Sequence, residues 1–347
     1  MIYLLVLLIL HFSCFEKKAP EHLKKGFELT AIPQNNNLTF TSGIRAIFQD
    51  SKGKYWIGSH REGIAVLTEK TWKYLTTLDG LPDNQIRSIQ EDQSGNIWIS
   101  TSKGASVYHN GKLITYAPNF NAPKYHWYET QGDLWFFGGN EDGIMRFDGK
   151  NMNYLIFPKP QNRNPADVFG VTGISKDNKG KVWIATYAAL FSFDGKTVNS
   201  FDTKKLNLHE NELLHIRSVL VDSKGRVWIG NNGIGVLLME GDSVIHFSEA
   251  NKLIHPTSKR RGDKSLPGTL EHVFASEEDS YGNIWFADRD TGAWKFDGKT
   301  LTNYSIDPKL NSQFIWCIYE DPAKNLLFGM AEGGVYQFNG KTFDKLF

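Results

Sequence analysis

The stretch Ile86-Arg87-Ser88-Ile89-Gln90-Glu91-Asp92-Gln93-Ser94-Gly95-Asn96-Ile97-Trp98-Ile99-Ser100-Thr101-Ser102-Lys103-Gly104 decides the fold. A short strand runs into Asp92, two variable positions follow, and Gly95 opens a second strand centred on Trp98. The carboxylate can accept the turn's backbone amides, and glycine takes the left-handed conformation that closes a hairpin. Ile216 to Gly235 repeats the plan, and looser copies run through the chain. Their second strands are Tyr55-Trp56-Ile57-Gly58, Ile97-Trp98-Ile99-Ser100, Leu134-Trp135-Phe136-Phe137, Val182-Trp183-Ile184-Ala185, Val227-Trp228-Ile229-Gly230, Ile284-Trp285-Phe286-Ala287 and Leu326-Leu327-Phe328-Gly329. They stand between 37 and 57 residues apart and take six of the chain's ten tryptophans.

A period of ~40–50 residues built from short strands signals a β-propeller, one four-stranded blade per repeat. The acid-x-x-Gly turn recurs in six copies, and the last carries Lys324 after Asp321. A second tight turn closes most copies, at Asn110-Gly111, Asp148-Gly149, Asp194-Gly195, Glu240-Gly241, Asp297-Gly298 and Asn339-Gly340. The expected fold is all-β: a seven-bladed β-propeller with four antiparallel strands per blade. Residues present in nearly every blade serve what every blade needs, so the tryptophans are expected to wedge between blades. The outer strand of the seventh blade can come from Lys341 to Phe347 or from Asn37-Leu38-Thr39-Phe40; the sequence leaves both open.

Composition narrows the function. Of 347 residues, 39 are Lys or Arg and 38 Asp or Glu, a net charge of +1 that argues against a general nucleic-acid binder. Two cysteines make neither a disulfide framework nor a structural zinc site. No metal, cofactor, nucleophile-elbow or phosphate-loop motif is present. Ile2 to Leu10 are all apolar, too short a run to span a membrane and suited to an export signal. Ser13-Cys14 resembles the processing site of bacterial lipoproteins, with Cys14 as the acylated residue. The expected organisation is a signal peptide over 1–13, a lipid-anchored tether over 14–36 and a propeller over 37–347.

The pattern Ile-x-x-Ile-x-x-Asp-x-x-Gly-x-Ile-Trp-Ile-Gly resembles the two-component regulator propeller repeat, and the resemblance covers about 43–347. It implies kinship with the periplasmic sensor region of hybrid two-component systems. There, two such propellers usually precede a β-sandwich, a membrane helix and a histidine kinase. The chain has no room for those parts, so the resemblance implies a stand-alone, lipid-anchored relative at the periplasmic or outer cell surface.

Blade topology puts the acid turns on one end of the ring and the variable loops on the other, where binding residues usually sit. Five positions before each turn acid, at the entry of the inner strand, stand Arg45, Arg87, Lys124, Thr172, Arg217, Phe274 and Trp316. Four cations around a channel mouth would attract an anion; the plainer reading pairs each with a carboxylate or loop carbonyl. The variable loops add His60, Asn140, Tyr187, Asn232 and Asp288, with Trp127 nearby. Polar groups among aromatic faces suit a carbohydrate and equally a protein interface. One position further on the residues are small, and Cys317 is expected to fill space. The resulting expectation is non-catalytic binding of an oligosaccharide, another anionic small molecule, or a partner such as an envelope protein or sensor kinase. The alternatives are a propeller lyase or glycan hydrolase using channel-mouth histidines and carboxylates, and a structural scaffold. Contact with the membrane is expected only through the lipid.

Overall fold

The computed structural model describes residues 38–347 apart from 69–70, 117–126, 129–131, 139–141, 161–165, 211 and 259–262. The leader, the tether and Cys14 therefore lie outside the described residues, as do Lys124 and Asn140.

Seven antiparallel sheets follow one another along the chain, each a simple meander from inner to outer strand. Six have four strands; the third blade shows three, Leu134–Phe137, Gly143–Phe147 and Met152–Ile156, among the described residues. The inner strands Ile44–Gln49, Ile86–Glu91, Val171–Lys176, Ile216–Val221, Val273–Glu278 and Ile315–Glu320 stand side by side, and the last packs against the first to close the ring. This is the expected propeller. The C-terminal stretch supplies the seventh blade's outer strand, Phe343–Lys345, antiparallel to Val335–Phe338. Among the described residues, 38–40 form no strand: the Thr39 amide donates to the Tyr74 hydroxyl, and Phe40 packs edge-on against the Tyr74 ring.

The turn acids work as the repeat implies, and they do more. Asp50 accepts the amides of Lys52 and Lys54 on one oxygen and the indole N–H of Trp56, at 2.9 Å, on the other. Asp92, Asp222 and Asp279 hold Trp98, Trp228 and Trp285 in the same way. With its polar edge satisfied, each indole can enter an apolar layer. Trp98 meets Phe136 and Phe147 of the next blade, and Trp285 meets Phe328 and Phe338. The core is accordingly a series of layers, each shared by two neighbouring blades. Contact is close: a Cβ on Gly58 would come within 2.5 Å of Ile86 in the next blade.

Candidate ligand site at the channel mouth

Every described inner strand is irregular at one place. Register slips between Ile44 and Ala46, Ile86 and Ser88, Val171 and Gly173, Ile216 and Ser218, Val273 and Ala275, and Ile315 and Cys317. The skipped residues are Arg45, Arg87, Thr172, Arg217, Phe274 and Trp316. A bulge frees its extra residue from the pleat and re-aims its side chain. Here, in the six described inner strands, it turns one side chain each towards the mouth of the central cavity, about 450 Å³ in volume, which Arg87, Thr172, Arg217, Phe274 and Trp316 line. The small Ser88, Gly173, Ser218, Ala275 and Cys317 line it too. Burial pushes the Cys317 thiol up to about 12, so it stays protonated and fills space as expected.

The arginines rest on aromatic rings. The Arg45 guanidinium lies 4.2 Å over Trp316, and that of Arg217 lies 4.4 Å over Phe274 and 5.4 Å over Tyr187. Phe314 bridges the two stacks, with ring centroids 4.6 Å from Phe274 and 5.7 Å from Trp316. One unbroken arc therefore runs Arg217–Phe274–Phe314–Trp316–Arg45. Arg45 also donates through Nε to His60 Nδ1 at 3.3 Å, and the Gln85 amide approaches the same nitrogen at 3.1 Å.

The arc is electrostatically uncomfortable. Burial, followed by repulsion from Arg87 and Arg217, brings Arg45 down to about 10. Burial likewise lowers Arg87 and Arg217, with Tyr187 opposing in both cases; Arg217 lowers Arg87 further, and the more distant Asp83 carboxylate opposes. Among the described residues, no carboxylate lies within ion-pair distance of any of the three. Burial and then Arg45, Arg61 and Arg87 bring His60 down to about 4, so its imidazole is neutral at pH 7.

The other sequence candidates are placed differently. Tyr187 stacks on His215, and Asn232, buried, donates through Nδ2 to His215 Nδ1 at 2.9 Å. Asp288, expected in the binding set, is instead fully buried and accepts the backbone amides of Glu271, His272, Asp290 and Thr291, which ties both its oxygens to its own loops. Trp127 lies in the layer between the third and fourth blades, against Trp135 and Phe193, with its indole N–H on the Ile156 carbonyl. Gln85 and Phe314 escaped the sequence reading. Both sit in connections between blades, two residues ahead of the bulged residue, and that fixed offset was the available signal.

Comparison with known proteins agrees with this architecture. The two-component regulator propeller model matches residues 40–61, 80–103 and 213–233, and each segment carries one of the three arginines with its turn acid and tryptophan. The extracellular domain of the putative hybrid two-component system BT3049 from B. thetaiotaomicron superposes with a TM-score of 0.63 at 20% identity, over 88% of this chain. The chain spans only 40% of that protein's length. Virginiamycin B lyase from Staphylococcus aureus superposes at 0.61 with 15% identity, covering 86% of this chain and 94% of the lyase. YCF48 from Cyanidioschyzon merolae superposes at 0.57 with 12% identity, covering 87% and 97%. At such identities the likeness speaks to the fold. No curated protein matches the sequence. Among the described residues no helix is long and apolar enough to cross a membrane. The chain thus carries two-component regulator propeller repeats at 40–61, 80–103 and 213–233, set in a seven-bladed ring of the same turn-and-tryptophan plan.

Proposed function

We propose that the chain is an exported, non-catalytic binding propeller that takes an anionic ligand, of the acidic-oligosaccharide class, at its channel mouth. The observation that carries this reading is the trio Arg45, Arg87 and Arg217: half-buried, repelling one another and, among the described residues, without a carboxylate at ion-pair distance. A carboxylate or sulfate entering there would offset the burial cost of charges already gathered. The rings of Phe274, Phe314 and Trp316 offer stacking faces beside them, and the cavity volume falls in the range usual for small-ligand sites. His60, lowered to about 4 and with its Nδ1 lone pair facing Arg45 and Gln85, is too weak a base to favour base catalysis over binding. The extracellular placement of the BT3049 domain supports a role at the envelope, where a sensor kinase or other envelope protein would read the occupied state.

The test is a thermal-shift screen of the protein against acidic and neutral oligosaccharides. Ligand at 100 times its Kd stabilises by about 2.7 kcal/mol. Arg87 makes no stacking contact or side-chain hydrogen bond among those described, so Arg87→Met isolates its charge. Loss of the shift in this variant, with its ligand-free Tm unchanged or raised, is the expected result. Full binding by Arg87→Met and Arg217→Met refutes the site. Silence across the panel, together with a lowered Tm in Arg87→Met, makes the arginines structural. The anchor is checked separately: mass spectrometry of the mature protein is expected to find an acylated N-terminal Cys14, and an unmodified chain beginning elsewhere refutes it.

A further inference from the structure

We propose that His209, Glu212 and His246, joined by Glu249, form a binding site for a divalent transition-metal ion of the zinc class. The residues come from two segments that the sequence keeps apart. His209 and Glu212 lie in the connection from the fourth blade to the fifth. His246 ends the fifth blade's outer strand, Ser243–His246, and Glu249 belongs to the single helical turn that follows, Phe247–Ala250. One ligand atom each from His209, Glu212 and His246 lies within 4.8 Å of the other two. His209 Nε2 is 2.8 Å from Glu249 Oε2, and His246 Nδ1 is 3.8 Å from Glu212 Oε2 and 3.7 Å from Glu249 Oε2. A tetrahedral ion with bonds of about 2.0–2.1 Å spaces its ligand atoms roughly 3.3 Å apart. These separations bracket that value, so small side-chain adjustments would seat an ion.

The donor set and its support select the metal class. Two imidazoles and two carboxylates suit zinc and its neighbours, whereas calcium and magnesium want oxygen throughout. His246 Nε2 stands 2.8 Å from the Asn207 carbonyl, which can only accept, so the proton is on Nε2 and the Nδ1 lone pair faces the carboxylates. Asn207 presents that carbonyl from a left-handed backbone, φ 54°. An imidazole fixed through its far nitrogen is the usual support of a metal ligand. Glu212 is buried and held by the His209 amide at 3.1 Å, while the side chains of His209 and Glu249 are 56% and 52% exposed, giving an ion a path in. An ion here would clamp the connection that leads into Ile216–Val221, and so into Arg217, against the outer edge of the fifth blade.

The experiment strips the full protein with a chelator, removes the chelator, and titrates Zn²⁺ by calorimetry, with Co²⁺ absorption reporting coordination geometry. One zinc per chain, a raised Tm and a tetrahedral cobalt spectrum are expected. His246→Ala and, separately, His209→Ala should each weaken zinc binding by at least ~10-fold, with the circular dichroism of the metal-free proteins unchanged. His209, on an exposed connection, carries the test should His246→Ala misfold. No zinc uptake, or uptake unaltered in His209→Ala, overturns the site and leaves the four residues as a surface hydrogen-bond network.

Discussion

Asp279 carries a load typical of the turn acids. It accepts the amides of Tyr281 and Asn283, the Asn283 side chain and the Trp285 indole, so one carboxylate both shapes a hairpin and orients the wedge that seals two blades. The glycine three residues on is equally constrained, with φ between 77° and 93° in the six regular copies. Lys324 occupies that place in the seventh blade and adopts φ 68° all the same. A left-handed conformation costs an L-residue roughly 1–2 kcal/mol, part of which glycine returns in unfolded-state entropy. Lys324→Gly should therefore stabilise the protein by about 0.5–1 kcal/mol in urea denaturation; a loss of stability would show that the lysine side chain matters more than its backbone. The acid and the glycine were legible as a turn from their spacing. The indole bond was not, because spacing does not reveal which edge of a tryptophan faces back along a hairpin.

Inner strands act at both ends. At the variable end of the six described inner strands the bulge delivers one side chain each to the channel mouth. At the turn end, the residue just before three of the acids reaches back to the preceding blade: Glu91 accepts from Ser51, Glu278 from Ser223 and Glu320 from Ser280. These ties crowd carboxylates onto neighbouring strands, and Glu277 feels the result. Burial, then Glu320 and Glu278, push its carboxyl up from 4.5 to about 8. A carboxyl raised on folding costs nothing below pH 4.5; its cost grows as pH rises towards 8 and is constant above. Glu277→Gln should thus leave stability unchanged at pH 4 and raise it by about 1–3 kcal/mol at pH 8.5. Equal effects at the two pH values would show that the charge is not the cause.

Across the described residues, the seventh blade takes its outer strand, Phe343–Lys345, from the C-terminal end of the chain. Blade seven meets blade one through ordinary inter-blade contacts. The Tyr55 hydroxyl donates to Asp321 at 2.5 Å, the Gln49 amide donates to the Tyr319 hydroxyl, and Phe347 packs its ring against Tyr55 and Trp72. Closure sets the geometry of the channel mouth, because only in a closed ring do Arg217 of the fifth blade, Phe274 of the sixth, Trp316 of the seventh and Arg45 of the first form one arc. The same arrangement separates roles that look alike in sequence. Trp127 and Trp316 are both aromatic residues near an inner strand, yet one packs in a layer and the other faces the channel mouth.

The amino-acid sequence by itself determined the blade: strand lengths, two turns and a buried tryptophan follow from local backbone preference and the periodicity of apolar side chains. It also determined the number of blades, since each repeat must cover its neighbour's apolar face. What only the tertiary structure decided is which polar groups converge. Arg45 and Arg217 are far apart in the chain, as are His209 and His246, and Asp288 turns into its own loops though it has the look of a ligand residue. Such convergence depends on bulges, loop paths and ring closure, each fixed by contacts between segments distant in sequence. Local pattern carries no record of them.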